Sequence, residues 1–280
     1  MATRREIYNL LHSVACEHYD TGEARQIAEM LLLAKGNISR NEFMVEPNKE
    51  LKIEELDSII EELRSWRPVQ YIIGHADFRD MELEVREGVL IPRPETEELV
   101  EWIATETANS ANILDIGTGS GAIAIALSRE VINSRVWAMD ISREALDIAR
   151  ANGTCYAPTV TFVEGDALAN FDSLFTEKFD VVVSNPPYIP ESDIEQMRRN
   201  VLDFEPSTAL FVPDNDPLLF YHSIAHTSKK ILKHGGKLYF EIYELLSTEM
   251  IDMLKTEGYS DITLREDFRG KPRMICATLP

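Results

Sequence analysis

The sequence predicts an α/β protein: a mostly parallel, doubly wound sheet preceded by a small all-helical domain. Three observations carry this. From residue 110 onward, short apolar runs of strand length alternate with segments of helical period. One run, Ile113-Leu114-Asp115-Ile116, passes into Gly117-Thr118-Gly119-Ser120-Gly121 and then into Ala122-Ile123-Ala124-Ile125-Ala126-Leu127. That order of strand, glycine turn and helix opens a doubly wound sheet. Before residue 67 the apolar residues keep the helical period throughout.

In chain order, Ile7, Leu10, Leu11 and Val14 form one helical stripe, Ile27, Met30, Leu31 and Ala34 a second, and Ile53, Leu56, Ile59, Ile60 and Leu63 a third. Gly36-Asn37 and Glu46-Pro47-Asn48 punctuate them. Residues 1–66 are therefore expected to form four or five helices with no visible catalytic constellation, serving either as a docking domain or as a structural cap. Arg67-Pro68 ends the last helix, and Gln70-Tyr71-Ile72-Ile73-Gly74 leads into two short strands, 76–78 and 82–85, about an Arg79-Asp80 turn. Residues 67–92 thus read as a hairpin connector. Residues 93–280 read as the domain that holds the sheet.

Within it, Pro94 suits the first position of a helix over 95–107, and the glutamates after it suit the positive end of the helix dipole. Arg93, held between two prolines, is a candidate for the rim of a pocket or a surface arginine paired to a nearby glutamate. Strands are expected at 136–139, 160–163, 179–184, 238–242, 262–264 and 274–277. Helices are expected at 142–152, 193–200, 217–232 (stopped by Gly235-Gly236) and 246–257.

The 280 residues carry 28 Lys and Arg against 48 Asp and Glu, a net charge of −20. Residues 1–75 hold 9 basic and 13 acidic side chains, so most of the excess lies in the second part. Binding to a nucleic acid duplex draws largely on cations meeting phosphates, so this balance disfavours a direct nucleic-acid partner and favours a basic protein surface. No apolar run approaches the roughly 20 residues of a membrane helix. Met-Ala-Thr-Arg-Arg-Glu leads into a polar helix and not a signal peptide, so no membrane role is expected. Cys16, Cys155 and Cys276 are scattered, with no metal spacing and no disulfide framework, which fits a reducing cytoplasm. His222 and His226 share helical spacing without an acidic ligand signature, and no metal is expected.

The glycine turn permits positive φ and close approach of a ligand to the backbone. Its GxGxG spacing is neither the dinucleotide fingerprint nor a P-loop. Asp140 closes the next strand, 19 residues after Gly121, where a carboxylate can accept both hydroxyls of a ribose. Asp166, in Glu164-Gly165-Asp166-Ala167 at the end of the third strand, can accept from an exocyclic adenine amine. Each acid alone would equally serve as a cap. Together, on successive strand ends, they favour a nucleoside ligand. After the fourth strand comes Asn185-Pro186-Pro187-Tyr188. Two prolines stiffen this turn and remove two donors, leaving an Asn amide, a free carbonyl and an aromatic face. Such a set suits a flat group bearing NH2, although the tetrapeptide alone would also serve as a tight loop.

The glycine loop, the two acids and NPPY together resemble class I S-adenosylmethionine-dependent methyltransferases with a Rossmann-like sheet. NPPY resembles the members that methylate a planar amide or an exocyclic amine. Further segments narrow this: Arg67-Pro68-Val69-Gln70-Tyr71-Ile72-Ile73-Gly74, Ile91-Pro92-Arg93-Pro94-Glu95-Thr96-Glu97, Phe204-Glu205-Pro206 and Asp267-Phe268-Arg269-Gly270-Lys271-Pro272-Arg273. They resemble the HemK/PrmC-type release factor glutamine-N5 methyltransferases over essentially the whole chain. The resemblance implies S-adenosyl-L-methionine as cofactor and class I peptide chain release factors as partners, with methyl transfer to the Gln of their Gly-Gly-Gln loop by a cytoplasmic monomer. A ribosomal protein glutamine methyltransferase and a nucleic-acid adenine-N6 methyltransferase are the alternatives.

The residues expected to hold the cofactor are Gly117, Thr118, Gly119, Ser120, Gly121, Asp140, Asp166, Ala167 and Asn185. Asn185, Pro186, Pro187 and Tyr188 are expected to hold the substrate amide, with Asn185, Pro186 and Tyr188 catalytic. Asn185 Oδ1 and the Pro186 carbonyl would each accept one amide hydrogen while Tyr188 packs on the amide plane. One departure stands out: the family often continues Glu-Ile-Gly or Glu-His-Gly after the fifth strand, where this chain has Glu241-Ile242-Tyr243.

Overall fold

Capping side chains decide where the first helices begin. The computed structural model describes residues 2–280. In it a two-residue strand β1 (Ala2–Thr3) runs into α1 (Arg4–Ala15), whose start is a capping box: Thr3 Oγ1 accepts from the Glu6 N–H while the Glu6 carboxylate accepts from the Thr3 N–H. Asp20 accepts from the Gly22 and Glu23 N–H groups and opens α2 (Thr21–Gly36), which ends on left-handed Asn37. A second box, Ser39 with Glu42, starts α3 (Arg40–Val45). Strand β2 (Glu50–Leu51) then pairs antiparallel with β1, and α4 (Leu56–Arg64) and α5 (Val69–Ile73) follow.

Ile7, Leu11, Val14, Ile27, Leu31, Leu32, Ile60 and Leu63 form the core of this first unit. Leu10 and Ala34, expected on the apolar stripes, are exposed. The segment expected to lead straight into the hairpin instead forms α5, because Val69 and Ile72 bury in the helical core and Gly74 (φ 100) turns the chain out. The unit also includes Met197–Phe204, carrying the short helix Arg199–Leu202 (α9 in chain order). Arg198 pairs with Glu23 at 2.7 Å, Arg67 lies over the Phe204 ring and Arg199 over Trp66.

The second unit, Ala76–Gln196 with Glu205–Pro280, holds the sheet. The hairpin β3 (His75–Phe78) and β4 (Met81–Glu84) precedes α6 (Pro94–Glu106), with Pro94 at its first position. Then follow β5 (Asn112–Ile116), α7 (Ala122–Glu130), β6 (Arg135–Asp140), α8 (Arg143–Tyr156), β7 (Thr161–Glu164) and β8 (Phe179–Ser184). The parallel pair β9 (Ile189–Pro190) and β10 (Phe211–Val212) precedes α10 (Leu219–Ser228), β11 (Leu232–Glu241), α11 (Ser247–Thr256), β12 (Ser260–Glu266) and β13 (Pro272–Thr278).

The seven-stranded order is β12-β13-β11-β8-β5-β6-β7. The five central and edge strands β11, β8, β5, β6 and β7 are parallel, and β13 runs antiparallel to both its neighbours. Helices cover both sides. One core joins Trp102, Ile103, Ile123, Leu127 and Tyr239, the other Leu114, Val182, Tyr221, Phe240 and Leu254. Buried Asn152 of α8 pins the hairpin: its Oδ1 accepts from the Glu84 N–H, and its Nδ2 donates to the carbonyls of Glu84 and Ser120.

Two expected helices differ. The one over 193–200 is a 3₁₀ segment, Glu191–Gln196, followed by α9. Neither piece has a fully buried side chain, and so short a stretch gains too little from helical bonds alone to stay helical. The one over 217–232 is shorter, because residues from Ile231 are recruited into the sheet: the Ile231 carbonyl accepts from the Phe179 N–H at 2.8 Å and Leu232 pairs with Phe179. Gly235-Gly236 does not stop a helix. It forms the bulge between Leu232 and Lys237, with Gly235 at φ 76.

Gly121, at φ 86, joins β5 to α7 where a Cβ would lie 2.9 Å from Ile125 Cδ1 and 3.2 Å from Ala149 Cβ. At Gly117, φ 74, an added Cβ would meet nothing within 4 Å. Gly121→Ala is thus expected to cost about 2–4 kcal/mol, strain plus overpacking, and Gly117→Ala only the strain of about 1–2 kcal/mol. Urea unfolding of both variants checks this, and equal losses would deny Gly121 its packing role.

Candidate active site

Parallel pairing brings the two expected ligand-bearing turns together. Ile116, the last residue of β5, lies beside Ser184, the last of β8, and the buried Ser184 hydroxyl donates to the Ile116 carbonyl at 2.6 Å. The glycine loop and NPPY therefore leave adjacent strand ends. In the loop, the Gly117 and Thr118 N–H groups both donate to the Met139 carbonyl, and Gly117 and Gly119 adopt positive φ with open space where a side chain would be. Thr118 and Ser120 are buried, and Thr118 Oγ1 donates to Asp115 at 2.6 Å.

Asp140 closes β6 and holds the loop from the neighbouring strand. Its Oδ2 accepts from the Gly119 N–H and its Oδ1 from the Ser142 N–H, each at 2.9 Å. The cap of α8 is Ser142, not Asp140. Burial pushes the Asp140 carboxyl up, while the backbone donors of Ser142, Gly119 and Ile141 pull it down. Asp166 accepts from the Leu168 N–H, the Ala167 carbonyl accepts from Ser223, and the Gly165 N–H donates to the Asp140 carbonyl, so the ends of β6 and β7 are tied as well. Ile141 and Leu168, next to and near these acids, expose large apolar side chains.

Asn185 is half-buried and Pro186 buried. Among the described residues nothing donates to the Pro186 carbonyl. Asn185 Nδ2 donates to Thr96 Oγ1 at 3.4 Å, Thr96 Oγ1 donates to Glu241 Oε2 at 2.6 Å, and the Tyr188 hydroxyl donates to Glu241 Oε1 at 3.3 Å. Glu241 is 1% exposed at the end of β11. Burial raises its pKa, and the Thr96 bond and the nearby Arg273 oppose the rise. Burial also lifts the Tyr188 phenol well above its usual range, so it stays protonated and is no base. Its ring stacks on Tyr243 at 6.1 Å, and the Tyr243 hydroxyl donates to Asp193 at 2.7 Å.

Arg93 bonds both oxygens of Glu205, at 2.7 and 2.9 Å. Glu205 also accepts from the Ile91 N–H and is buried. So the Ile91-Pro92-Arg93 and Phe204-Glu205-Pro206 segments are ionically joined.

Residues 113–204 match the family model described as methyltransferase domain, and residues 13–74 the PrmC N-terminal domain. The release factor glutamine methyltransferase of Bacteroides thetaiotaomicron is 46% identical over 226 residues, 81% of each chain. That of Flavobacterium psychrophilum is 38% identical over 265 residues, 92% of each chain. The chain belongs to the release factor glutamine methyltransferase family. It is a methyltransferase, and a solved methyltransferase from Pyrococcus furiosus shares its fold at 18% identity, TM-score 0.52, over 71% of this chain and 89% of that one.

Sequence reasoning missed three residues that the methyltransferase fold brings to NPPY and its flanks: Thr96, Glu241 and Glu205. A lone Glu closing an otherwise apolar strand was the available signal for Glu241. It also missed the state of Asp115. This side chain is fully buried, and its Oδ1 has no hydrogen-bond partner among the described residues. The Ala124 N–H pulls toward ionisation without closing a bond to Oδ1, and burial pushes the group up from 3.8 to about 7.

A carboxyl that ionises later in the folded than in the unfolded chain holds an extra proton in the fold between roughly pH 4 and 7. Its contribution is therefore complete below the unfolded pKa and is lost as pH rises through that window. Asp115→Asn is expected to flatten this fall and to unfold later than wild type at pH 8, by a few kcal/mol in order of magnitude. Urea midpoints at pH 5 and pH 8 read it, and parallel profiles would show that Asp115 is not the titrating group.

Proposed function

We propose that the protein methylates the side-chain amide nitrogen (N5) of the Gln in the Gly-Gly-Gln loop of class I release factors, with S-adenosyl-L-methionine as donor. The observation that carries this is the adjacency of the glycine loop and NPPY, with Asn185 held by its NH2 end so that Oδ1 is left to a ligand. Support for the cofactor comes from the residues themselves. Open faces at Gly117 and Gly119 admit close approach of a ligand, and Asp115 Oδ1 is a buried acceptor without a donor. Asp140 and Asp166 offer acceptors for a ribose and an amine, and exposed Ile141 and Leu168 offer apolar cover for a flat base. Together with Thr118, Ser120, Gly121, Ala167 and Asn185, these residues would hold it. When bound, the cofactor supplies an electrophilic sulfonium methyl.

The rest is the work of the chain. A carboxamide nitrogen is a poor nucleophile because its lone pair is delocalised into the carbonyl. Asn185 Oδ1 and the Pro186 carbonyl each accept one of its hydrogens, which fixes its orientation and favours pyramidal nitrogen. Positive charge growing on that nitrogen meets two acceptors already in place. Tyr188, backed by Tyr243, covers the amide plane, and Pro187 keeps the turn rigid. The methylated nitrogen loses its proton to water, so no side chain need act as base. We assign docking of the release factor to the helical unit (residues 1–66 by sequence), whose fold includes Met197–Phe204, the stretch just beyond the NPPY turn. A cytoplasmic setting accords with translation and with three free cysteines.

Labelled cofactor offered with release factor, ribosomal proteins or DNA in separate reactions tests the assignment: label is expected on the release factor glutamine, and label on DNA alone would overturn it. Asn185→Ala is expected to lower kcat by about a hundredfold to a thousandfold, the usual effect of losing one preorganised hydrogen bond, with cofactor affinity little changed. Asp140→Asn is expected to weaken cofactor binding by about tenfold or more in calorimetry. Unchanged binding would refute the ribose role.

A further inference from the structure

Of the two acceptors offered to the substrate amide, the Pro186 carbonyl has a fixed polarity, but the Asn185 side chain does not. An Asn amide has an acceptor end and a donor end of nearly equal size, and a flip exchanges them. In the flipped state NH2 would face the NH2 of the substrate, donor against donor. Something must set the direction.

We propose that Thr96 and Glu241 are positioning residues that fix the polarity of Asn185. The proposal rests on the reading of Asn185 as acceptor. Its starting point is Glu241, whose ionised carboxylate, favoured by the Thr96 bond and the nearby Arg273, can only accept. Two hydroxyls donate to it, Thr96 at 2.6 Å and Tyr188 at 3.3 Å. The shorter is the length of an O–H···O⁻ bond. A hydroxyl has one hydrogen, and that of Thr96 is committed to Glu241. Only lone pairs remain toward Asn185, so the group facing Thr96 at 3.4 Å must be the NH2. Oδ1, at the other end of the same planar amide, is then the end presented to a ligand. The carboxylate thus dictates the polarity of an amide it does not touch, through one hydroxyl.

The same carboxylate holds both ends of the NPPY turn, Asn185 through Thr96 and Tyr188 directly. Its parts come from three separate elements: the first turn of α6, the end of β11 and the turn after β8. Packing alone does not call for this arrangement. A buried carboxylate carries a desolvation cost that an apolar side chain of similar size avoids.

Thr96→Val removes the hydroxyl at constant shape, and Thr96→Ser keeps it. Thr96→Val is expected to lower kcat for release factor methylation by about tenfold to a hundredfold, the scale of a misplaced reacting group, with KM and the cofactor Kd within about threefold of wild type. Thr96→Ser is expected to restore kcat. In an Asn185→Ala background Thr96→Val should cause no further loss, because it acts through Asn185. Wild-type kcat in Thr96→Val, or an equal further loss without Asn185, would overturn the relay and leave the acceptor reading standing. Wild-type turnover by Asn185→Ala would remove that reading and the relay with it. Should Thr96→Val not fold, Glu241→Gln decides. Gln can donate to Thr96 and release the constraint, so a similar fall in kcat is expected, and unchanged kcat would overturn the relay.

Discussion

Everything at the candidate site depends on the pairing of β5 with β8. From β5 the chain builds outward to β6 and β7, then crosses back to β8 and on to β11 on the other side. The strand order thus reverses between β5 and β8, the place where a doubly wound sheet takes its ligands at the carboxyl ends of its strands. The Ser184 hydroxyl closes the junction from below by donating to the Ile116 carbonyl. The glycine loop and Asn185 therefore leave neighbouring strand ends. Asp140 sits one strand further along and holds the Gly119 N–H, so loop shape and the expected ribose acceptor are set by one carboxylate.

Three buried acids, Glu205, Glu241 and Asp115, are each treated differently. Glu205 meets Arg93 through both oxygens and also accepts from the Ile91 N–H. Glu241 receives two hydroxyl donors and feels Arg273, enough to accept from both neighbours at a raised pKa. Asp115 has one hydroxyl donor and one empty oxygen, and its pKa rises to about 7. The ion-paired acid joins two chain segments, and the one with an unpartnered oxygen lies two residues before the glycine loop. An unpartnered oxygen on a buried acid destabilises the fold.

Local chemistry was legible in the sequence, and long-range pairing was not. The glycine turn, both strand-end acids and NPPY each announce themselves within a few residues, because φ > 0, strand length and proline stiffness are local properties. Helix starts were readable from the same kind of signal, as at Pro94. Thr96 and Glu241 meet across 145 residues and Arg93 and Glu205 across 112, and no local pattern records either contact. The failure at Gly235-Gly236 has the same origin. Two glycines after an apolar run read as a helix stop, but pairing with Phe179 had already claimed the chain for the sheet. Nor could spacing reveal that Met197–Phe204 belongs with the helical unit, since that rests on Arg198 reaching Glu23.

Tyr243 shows what one departure from a family pattern can do. A glycine after the fifth strand would leave the outer side of the Tyr188 ring without an aromatic neighbour on that element. Here the Tyr243 ring lies nearly parallel to it, an arrangement worth about 0.5–1.5 kcal/mol beyond area burial. The Tyr243 hydroxyl bonds Asp193, and that bond, with burial, raises the phenol to about 12, so it keeps its proton at neutral pH and the contact persists. Asp193 lies in the 3₁₀ segment that follows the NPPY turn, and Ser192 in that segment donates its N–H to Asp214. The segment that fails to form the expected helix is thus tethered by side chains on two sides. Strand end, aromatic pair and tether form one connected support for the turn, and that support holds the Tyr188 ring in place.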